Sequence, residues 1–227
     1  MERTLAKETV KKVGEKVKLQ GWVDSIRDHG KIAFIDLRDR SGIVQCGGQN
    51  FSKISQESVI EVIGKVTERS KNLVNPDLPT GKVEVKLERI EVLSPSDSDF
   101  PISIDRYSDN ESDQQIRLDW RFLDLRNPKK RLIFEVWTTM EQGFRNYWTK
   151  NDYIEIHSPK FMGAPSESGA ELFEVKYFDR KAYLAQLPQF YKQMAMAAGF
   201  ERVFEVGPVF RANPSFTSRH DTEFTMY

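Results

Sequence analysis

Cysteine, histidine and an excess of either charge are scarce in this sequence of 227 residues. Cys46 is the single cysteine, which excludes a disulfide and a cysteine-based zinc site within the chain. The three histidines, His29, His157 and His220, are too far apart in the sequence to indicate a metal site. Lys and Arg together number 34, as do Asp and Glu, and this balance argues against a protein that binds polyanions by overall charge alone.

Long apolar segments are also absent, and the sequence therefore predicts a cytoplasmic protein. No apolar run approaches the ~18 residues that a membrane-spanning helix needs. The first residues, Met1 to Thr4, lack the apolar core of a secretory signal. A chain of 227 residues can bury a core either as one large domain or as two modest ones.

Residues 1–95 have the pattern of short β-strands. Apolar and polar residues alternate in runs such as 17–23 and 59–66, and turn-forming residues separate the runs. The alternation changes parity between Leu87 and Ile90, which predicts a β-bulge. About five strands indicate a small barrel, commonly the five-stranded OB-fold, although periodicity alone leaves a sandwich or an SH3-like barrel open.

A nucleic-acid face is predicted around the second and third strands, from residues 22–23, 32–37 and 43–45. OB-folds bind single-stranded nucleic acid on this face by stacking bases on aromatic rings. Phe34 is the expected stacking ring, and Arg27 and Gln45 are expected beside it. An aromatic residue in a strand commonly faces the core, and this alternative remains open for Phe34.

The middle of the chain has a linker and then a long amphipathic helix. Residues 96–129 are rich in Ser, Pro, Asp and Arg, which is typical of a hinge or, equally, of a salt-bridged surface helix. Over residues 130–150, apolar side chains recur every three or four positions and form one broad aromatic face. Asn151 is predicted to end this helix, and a strand is predicted over residues 153–159.

The last stretch has the pattern of a β-hairpin with a basic loop. An apolar run over 203–210 ends at Arg211, and a second strand follows the loop. The loop also carries Arg219 and His220, with Phe224 just behind them. Guanidinium groups bind phosphate and an aromatic ring stacks on a base, so this tip suits a nucleotide. A solvated hairpin with basic residues at its turn is the alternative.

Three segments resemble class II aminoacyl-tRNA synthetases, specifically aspartyl-tRNA synthetases of the archaeal and eukaryotic type. Residues 210–212 and 219–225, Phe-Arg-Ala and Arg-His-Asp-Thr-Glu-Phe-Thr, are similar to motif 2. The helix over 130–150 and its strand ending at Pro159 resemble motif 1, and residues 21–45 resemble the anticodon-binding domain. The resemblance implies an α+β fold with three parts: a five-stranded OB-fold barrel over 1–95, a hinge over 96–129, and an incomplete class II catalytic domain over 130–227 with an antiparallel sheet and flanking helices.

The resemblance also implies a reaction and the residues that serve it. The protein would activate L-aspartate with ATP to aspartyl-adenylate and transfer the aspartyl group to tRNA(Asp). The aspartate-binding residues implied are Glu167, Gln189, Lys192 and Arg211, and Arg211 is also the catalytic residue. The ATP-binding residues implied are Arg211, Asn213, Arg219, His220, Asp221 and Phe224. The anticodon-binding residues implied are Arg27, His29, Phe34 and Gln45.

Partners and cofactors follow from the same resemblance. A homodimer is expected through the helix and strand of residues 130–159, and ATP with Mg²⁺ is expected at the active site. The chain resembles the first half of a family member, without motif 3 and the acidic magnesium ligands, so no metal site is expected within it. We therefore expect the chain alone to lack catalytic activity.

Single residues refine these expectations. Lys192 favours aspartate over asparagine, since asparaginyl enzymes generally lack lysine at the matching position. His29 favours a relaxed choice of tRNA, in which tRNA(Asn) is also charged. Ser168 replaces a glycine of the mobile loop, and Asn213 replaces the usual glutamate that bonds adenine or the tRNA end. Two alternatives stay open: an asparaginyl-tRNA synthetase-like enzyme, and a tRNA-binding paralogue that has lost aminoacylation.

Overall fold

The computed structural model describes residues 1–30, 32–49, 54–97, 99–103, 112–165, 172–214, 217 and 220–227. The chain divides into two units, Met1–Asp124 and Leu125–Tyr227. The division falls inside the segment 96–129, while the domain boundaries at 95 and 130 stay predictions.

A closed barrel of five strands forms most of the first unit. The strands are Lys16–Asp28 (β1), Ala33–Asp39 (β2), Gly42–Gly48 (β3), Val59–Glu68 (β4) and Val83–Ser94 (β5). They are hydrogen-bonded in the order β1-β2-β3-β5-β4. Neighbouring strands are antiparallel except β3 and β5, which run parallel. The closed barrel confirms the predicted architecture and rules out an open sandwich.

Alternation along the strands places one face of each strand in a shared core. This core contains apolar side chains from all five strands, among them Val17, Leu19, Ile35, Val44, Ile60, Val62 and Val85. The predicted bulge is confirmed, because Leu87 and Arg89 pair with consecutive residues of β4 and leave Glu88 as the extra residue. The bulge turns Ile90 to the core side, where it packs against the cluster.

Two glycines allow the strands of the barrel to approach closely. A Cβ at Gly21 would lie 2.3 Å from the carbonyl oxygen of Arg38, and a Cβ at Gly64 would lie 2.3 Å from that of Lys86. Real Cβ atoms do not come so near to a carbonyl oxygen, so β1 and β4 need glycine at these two positions.

Two short helices follow the barrel, Gln114–Asp119 (α1) and Arg121–Asp124 (α2). Asp113 caps α1 by accepting a hydrogen bond from the backbone N–H of Gln115. Arg121 and the buried Asp124 form an ion pair at 3.1 Å within α2. Short helices with an internal ion pair agree with the salt-bridged alternative for this part of the chain.

The second unit begins with the long helix Pro128–Lys150 (α3). Pro128 lies in the first turn, and Asn127 caps the helix by accepting a backbone hydrogen bond at 2.9 Å. The helix ends at Lys150 with Asn151 as its C-cap, as predicted, and begins two residues before the predicted start. None of its 23 residues, all of which the structure describes, is buried. Neither α3 nor any other helix of the described residues combines the length and apolarity needed to cross a membrane.

Short strands form three small sheets among the described residues of the second unit. The strands are Ile154–Glu155 (β6), Phe161–Met162 (β7), Glu174–Tyr177 (β8), Arg180–Leu184 (β9), Val203–Phe204 (β10), Gly207–Phe210 (β11) and Glu223–Met226 (β12). Strand β10 pairs with β6 in parallel, while β7-β9-β8 and β11-β12 are antiparallel. The helix Gln189–Ala197 (α4) follows β9 in the chain. A barrel followed by sheets and helices confirms the α+β class.

Two of the predicted strands are wrong in their extent. The run over 203–210 is predicted as one strand, but it forms β10 and β11, which belong to different sheets. Glu205 lies at the interruption, where its 3 % exposed side chain accepts hydrogen bonds from Ser158 and Lys160. We attribute the interruption to the need of this buried carboxylate for hydrogen-bond donors. The strand predicted over 153–159 is limited to the two residues of β6.

Candidate functional site

The outer side of β2 and β3 carries the aromatic and polar side chains predicted to bind nucleic acid. Residues opposite each other in an antiparallel pair share a face, and Arg27 is opposite Phe34 while Asp36 is opposite Gln45. Phe34 is partly buried and does not belong to the core cluster. Its ring lies against Gly47, where a Cβ would come within 3.1 Å of it. The alternative that Phe34 is a core residue is therefore wrong.

His29 lies next to Phe34 in the loop between β1 and β2. The two ring centroids are 5.9 Å apart, and the ring planes meet at 70° in an edge-to-face contact. The backbone N–H of His29 donates to the carbonyl of Ile32 at 3.0 Å. Gly30, in the same loop, has a φ of 83°, which glycine adopts without strain. The tight loop thus places the His29 ring against the edge of the stacking face.

A chain of hydrogen bonds holds the polar side chains of this face. Arg27 Nη2 donates to Asp36 Oδ1 at 2.9 Å and to Gln45 Oε1 at 3.2 Å. Gln45 Nε2 donates in turn to Glu84 Oε2 at 3.3 Å. Sequence reasoning found Arg27 and Gln45 but missed Asp36 and Glu84. The two-residue spacing between Phe34 and Asp36 places both on one face of β2, and this is the signal that could have found Asp36.

The four predicted residues, Arg27, His29, Phe34 and Gln45, thus lie together on one small area of the barrel. An unpaired base can stack on the ring of Phe34 while its edge reaches the guanidinium of Arg27 or the amide of Gln45. The Arg27 side chain remains 48 % exposed although it is paired, so it is accessible to a ligand. These groups suit a single-stranded nucleic acid, and the role of the four residues stays a prediction.

In the second unit, the hairpin of β11 and β12 carries the predicted nucleotide-binding residues. Val209 is opposite Phe224, and Arg211 follows two residues later on the same side. The guanidinium carbon of Arg211 lies 5.3 Å from the centroid of the Phe224 ring, a cation–π contact. The backbone N–H of Arg211 donates to the carbonyl of Thr222 at 2.9 Å. The hairpin therefore holds a cation beside an aromatic ring, an arrangement that suits a nucleotide such as ATP.

The loop at the tip of this hairpin has contacts of its own. The Asn213 side-chain amide donates to the carbonyl of Asp221 at 3.4 Å, and the Asn213 backbone N–H donates to the carbonyl of Arg211 at 2.9 Å. His220 Nδ1 and Thr217 Oγ1 are 2.6 Å apart. Asn213 is partly buried, while His220 and Asp221 are exposed. Arg219, also predicted here, lies outside the described residues.

Gln189 and Lys192 lie in the first turn of α4, as predicted. The buried Pro188 precedes the helix, and its carbonyl accepts the backbone N–H of Lys192 at 3.2 Å. A spacing of three residues puts the two side chains on one side of the helix. Lys192 is partly buried, and no described residue forms an ion pair with it. Glu167, the third residue predicted to bind aspartate, lies outside the described residues.

A buried carboxylate that sequence reasoning missed ties two parts of the second unit together. Glu205 Oε1 accepts from the backbone N–H of Ser158 at 3.0 Å, from Ser158 Oγ at 2.9 Å and from Lys160 Nζ at 2.6 Å. Burial raises the pKa of the Glu205 carboxyl, but the bonds from Lys160 and Ser158 outweigh burial and leave this pKa below its ordinary value. The cluster connects the segment around Pro159 to the strand that leads to Arg211.

No three His, Cys, Asp or Glu side chains of the described residues lie close enough together to hold a metal ion.

Comparisons with known proteins cover both units. Residues 17–93 match the family model of the OB-fold nucleic acid binding domain. A protein of Methanopyrus kandleri named aspartate–tRNA(Asp/Asn) ligase is 44 % identical over 225 residues, which cover 95 % of this chain and 50 % of that protein. A protein of Picrophilus torridus named aspartate–tRNA(Asp) ligase is 40 % identical over 219 residues, which cover 93 % of this chain and 50 % of that protein. The chain thus spans about half the length of the curated relatives it matches.

A solved structure extends the likeness to the fold of the whole chain. The crystal structure of asparaginyl-tRNA synthetase from Pyrococcus horikoshii, complexed with asparaginyl-adenylate, superimposes with a TM-score of 0.84 at 33 % identity. The superposition covers 99 % of this chain and 52 % of the asparaginyl-tRNA synthetase chain. Residues 113–227, just over half of the chain, match the family model of class II tRNA synthetases (D, K and N). The chain therefore belongs to the class II tRNA synthetases of the D, K and N group.

Proposed function

We propose that the protein containing this chain is an aspartate–tRNA ligase. It activates L-aspartate with ATP to aspartyl-adenylate, releases pyrophosphate, and transfers the aspartyl group to the 3′ end of tRNA(Asp). The observation that carries the proposal is the 44 % identity, along 95 % of this chain, to a protein named aspartate–tRNA(Asp/Asn) ligase. The expected location is the cytoplasm, where charged tRNA is used.

Activation of aspartate needs no general base, because the substrate carboxylate is already a nucleophile. It needs groups that position the reactants and neutralise charge at the α-phosphate. A carboxylate oxygen of aspartate attacks the α-phosphorus of ATP, and the bond to pyrophosphate breaks. In this proposal Arg211 binds both the α-phosphate and the attacking carboxylate, and it neutralises the charge of the transition state. Phe224 stacks on adenine, and its contact with Arg211 holds the guanidinium near the base before ATP binds. ATP is expected as its Mg²⁺ complex, in which the ion neutralises part of the phosphate charge.

The loop residues of the hairpin complete the proposed nucleotide site. Arg219 and His220 bind the outer phosphates, since both carry donors for phosphate oxygen. Asn213 and Asp221 shape the loop beside adenine, and the hydrogen bond from the Asn213 amide to the Asp221 carbonyl supports this role. Asn213 retains hydrogen-bonding groups for adenine or the tRNA end, without the charge of a glutamate.

Selection of aspartate is assigned to Lys192. Its ammonium pairs with the side-chain carboxylate of aspartate, which asparagine lacks, and this cation has no ion pair among the described residues that would compete. Gln189, on the same side of α4, bonds the ammonium or main chain of the amino acid. Glu167 pairs with the ammonium.

Exchange of radioactive pyrophosphate into ATP by the full-length protein tests the choice of amino acid. Exchange with aspartate alone supports the proposal. Exchange with asparagine alone would overturn it in favour of an asparaginyl-tRNA synthetase, the second candidate that the 33 % identical solved structure raises. No exchange with either would favour a tRNA-binding paralogue, and Asn213 in place of glutamate is the observation behind that outcome.

A Lys192 variant sharpens this test. Lys192→Met removes the cation but keeps the length of the side chain, so kcat/KM for aspartate in exchange is expected to fall about 100-fold. Lys176→Met, on the exposed strand β8, is the matched control and is expected to retain the wild-type value. Equal activity of Lys192→Met and the control would remove Lys192 from the site.

The barrel face is proposed to bind the anticodon through Arg27, His29, Phe34 and Gln45. The edge contact of His29 with Phe34 makes His29 part of the surface that meets the first anticodon bases. We propose a relaxed choice, in which tRNA(Asn) is charged as well as tRNA(Asp), and an amidotransferase would then have to convert Asp-tRNA(Asn). Charging of both tRNAs by the full-length protein supports this choice, whereas charging of tRNA(Asp) alone would refute it and leave the ligase itself intact.

A homodimer through residues 130–159 is also proposed. Large apolar side chains of α3 are exposed in the single chain, including Trp137 at 57 %, Met140 at 54 % and Tyr147 at 63 %. A contiguous apolar helix face of this kind marks an interaction surface. A second copy of the chain is the proposed occupant.

A further inference from the structure

We infer that Asp36 is a positioning residue of the anticodon face, which holds Arg27 where an unpaired base meets it. The inference rests on the proposed function and adds to that site a residue that does not itself touch the RNA. It is carried by the burial of Asp36 and by the partners of its two carboxylate oxygens.

Asp36 is nearly inaccessible although it lies on the outer side of β2. Its side chain is 8 % exposed, whereas that of Arg27 is 48 % exposed. Oδ1 accepts from Arg27 Nη2 at 2.9 Å, and Oδ2 accepts from Ser25 Oγ at 2.9 Å. A carboxylate with both oxygens engaged and so little accessible surface reaches a bound base only through the groups that it holds.

Arg27 benefits from such an anchor because it is long and half-exposed. An unanchored arginine loses rotamer freedom when it binds a base, and this loss weakens binding. The ion pair with Asp36 imposes the same restriction when the barrel folds, so the guanidinium is already in place when RNA arrives.

The hydrogen bonds that hold Arg27 also include Gln45. The same Arg27 nitrogen that bonds Asp36 also donates to Gln45 Oε1 at 3.2 Å, and Glu84 holds the Gln45 amide on its other side at 3.3 Å. Asp36 is thus the first member of a row, Asp36, Arg27, Gln45 and Glu84, that sets the orientation of two base-reading side chains. Loss of the Asp36 charge is expected to loosen both of them.

A purely structural role of Asp36 is the competing explanation, and the barrel offers a matched control for it. Glu61 on β4 accepts from Gln20 Nε2 at 2.6 Å and pairs with Lys18 at 3.7 Å, with its side chain 19 % exposed. This is also a cross-strand carboxylate with little exposure, but it lies between β1 and β4, away from the face of β2 and β3. Glu61→Gln therefore reports what a lost barrel carboxylate does by itself.

The test is a double-mutant cycle in the full-length protein. KM and kcat for charging tRNA(Asp) are measured for wild type, Asp36→Asn, Arg27→Ala and the double variant, together with the urea midpoint of unfolding. We expect Asp36→Asn to raise the KM for tRNA about tenfold, as loss of a charge-assisted hydrogen bond does, with a smaller change in kcat. In the Arg27→Ala background the same change is expected to add no further rise, because Asp36 acts through Arg27. Glu61→Gln is expected to leave the KM for tRNA at its wild-type value.

The inference is overturned if Asp36→Asn leaves the KM for tRNA unchanged, or raises it equally with and without Arg27. It is also overturned if Glu61→Gln raises this KM as much as Asp36→Asn does. If Asp36→Asn does not fold, Asp36→Glu carries the same test, since it keeps the charge but displaces it by one methylene. A wild-type protein that charges no tRNA would instead refute the proposed function, so the two failures can be told apart.

Discussion

The barrel buries its large apolar side chains within itself, whereas the second unit leaves most of its own in contact with solvent. In the barrel, Leu19, Ile35 and Ile60 are at most 1 % exposed. In the second unit, Trp137 is 57 % and Phe178 is 82 % exposed. Barrel strands have 7 to 13 residues, while the strands described in the second unit have 2 to 5. The barrel therefore has a core of its own, whereas the described residues of the second unit leave many of its apolar side chains exposed.

The two regions also place their proposed functional residues differently. In the barrel, strand register alone brings Arg27, Phe34 and Gln45 together, because opposite residues share a face. In the second unit, Arg211 and Lys192 lie on a hairpin loop and on a short helix, which depend on more distant packing. A closed barrel holds its surface residues in place through its own strand pairing, whereas the proposed nucleotide and aspartate sites lie on short elements.

The same substitution in the two regions is expected to act in opposite directions, and this is the largest predicted effect on stability. In Gly64→Ala, the new Cβ would lie 2.3 Å from the Lys86 carbonyl oxygen and 2.9 Å from Val85, so we expect the barrel to lose about 3 kcal/mol or more of unfolding free energy. In Gly143→Ala on α3, nothing lies within 4 Å, and the higher helix propensity of alanine is expected to stabilise the second unit by up to about 1 kcal/mol. Urea unfolding of the full-length protein, with hydrogen exchange to separate the units, measures both. Unfolding free energies that fall in both variants, or rise in both, would contradict the expected difference between the barrel and α3.

The exposed apolar face of α3 is expected to be covered by a second copy. Trp137→Lys puts a charge into this face, so we expect the dissociation constant of the dimer to rise at least about 30-fold. Gln142→Lys, on the opposite side of α3, is the matched control and is expected to leave the dimer intact. Sedimentation velocity of the full-length protein over a range of concentrations measures the association. A wild-type protein that is monomeric at all concentrations would contradict the dimer.

The Glu205 cluster predicts a pH dependence in the stability of the second unit. Because the pKa of Glu205 is lowered in the folded state, its contribution to stability is present above the ordinary pKa of 4.5 and is lost as the pH falls through the folded value. Glu205→Gln is expected to lower the unfolding free energy of the second unit at pH 7 by about 2 kcal/mol and to remove this acid-dependent step. Glu174→Gln breaks only an exposed pair with Lys181 and should change stability little. Both variants are measured by urea unfolding between pH 7 and pH 3. Equal effects of the two substitutions on the unfolding free energy would contradict the stabilising role of Glu205.

Cys46 lies in the core of the barrel and is expected to be an unreactive thiol. Burial raises the pKa of the Cys46 thiol, and the nearby charges of Asp36 and Glu84 raise it further. Labelling of Cys46 by a maleimide at pH 8 is expected only when the barrel opens, and therefore much more slowly than labelling of the unfolded chain. Labelling of the folded protein at the rate of a free thiol would show that the core is less closed than described.

The contrast between the regions also explains which features the sequence could predict. Alternation is a local signal, so the strands of the barrel and even the bulge near Leu87 were predictable from neighbouring residues. The same signal placed Arg27, Phe34 and Gln45 on one face. Alternation could also have placed Asp36 on this face, but the hydrogen bonds of Asp36 to Arg27 and of Glu84 to Gln45 depend on which strands pair and in which register.

In the second unit, the unpredicted features depend on contacts between distant parts of the chain. Lys160 and Glu205 are separated by 45 residues, and neither carries a local sign of the other. Their contact accompanies the interruption of the apolar run over 203–210, which periodicity alone predicts as one strand. The hairpin and the start of α4 were predictable, since turn residues and Pro188 are local signals.

The central claim is that the barrel binds tRNA and that the second unit activates aspartate. Its most direct test compares Phe34→Ala and Arg211→Ala in the full-length protein. Two rates are measured for each variant: pyrophosphate exchange with aspartate, which needs no tRNA, and charging of tRNA(Asp). We expect Arg211→Ala to lower exchange by a factor of about 1,000, as loss of a transition-state charge partner does, and Phe34→Ala to lower charging through a higher KM for tRNA. If Phe34→Ala lowered exchange as strongly as charging, or if Arg211→Ala left exchange intact, the assignment of tRNA binding to the barrel and of activation to the second unit would be contradicted.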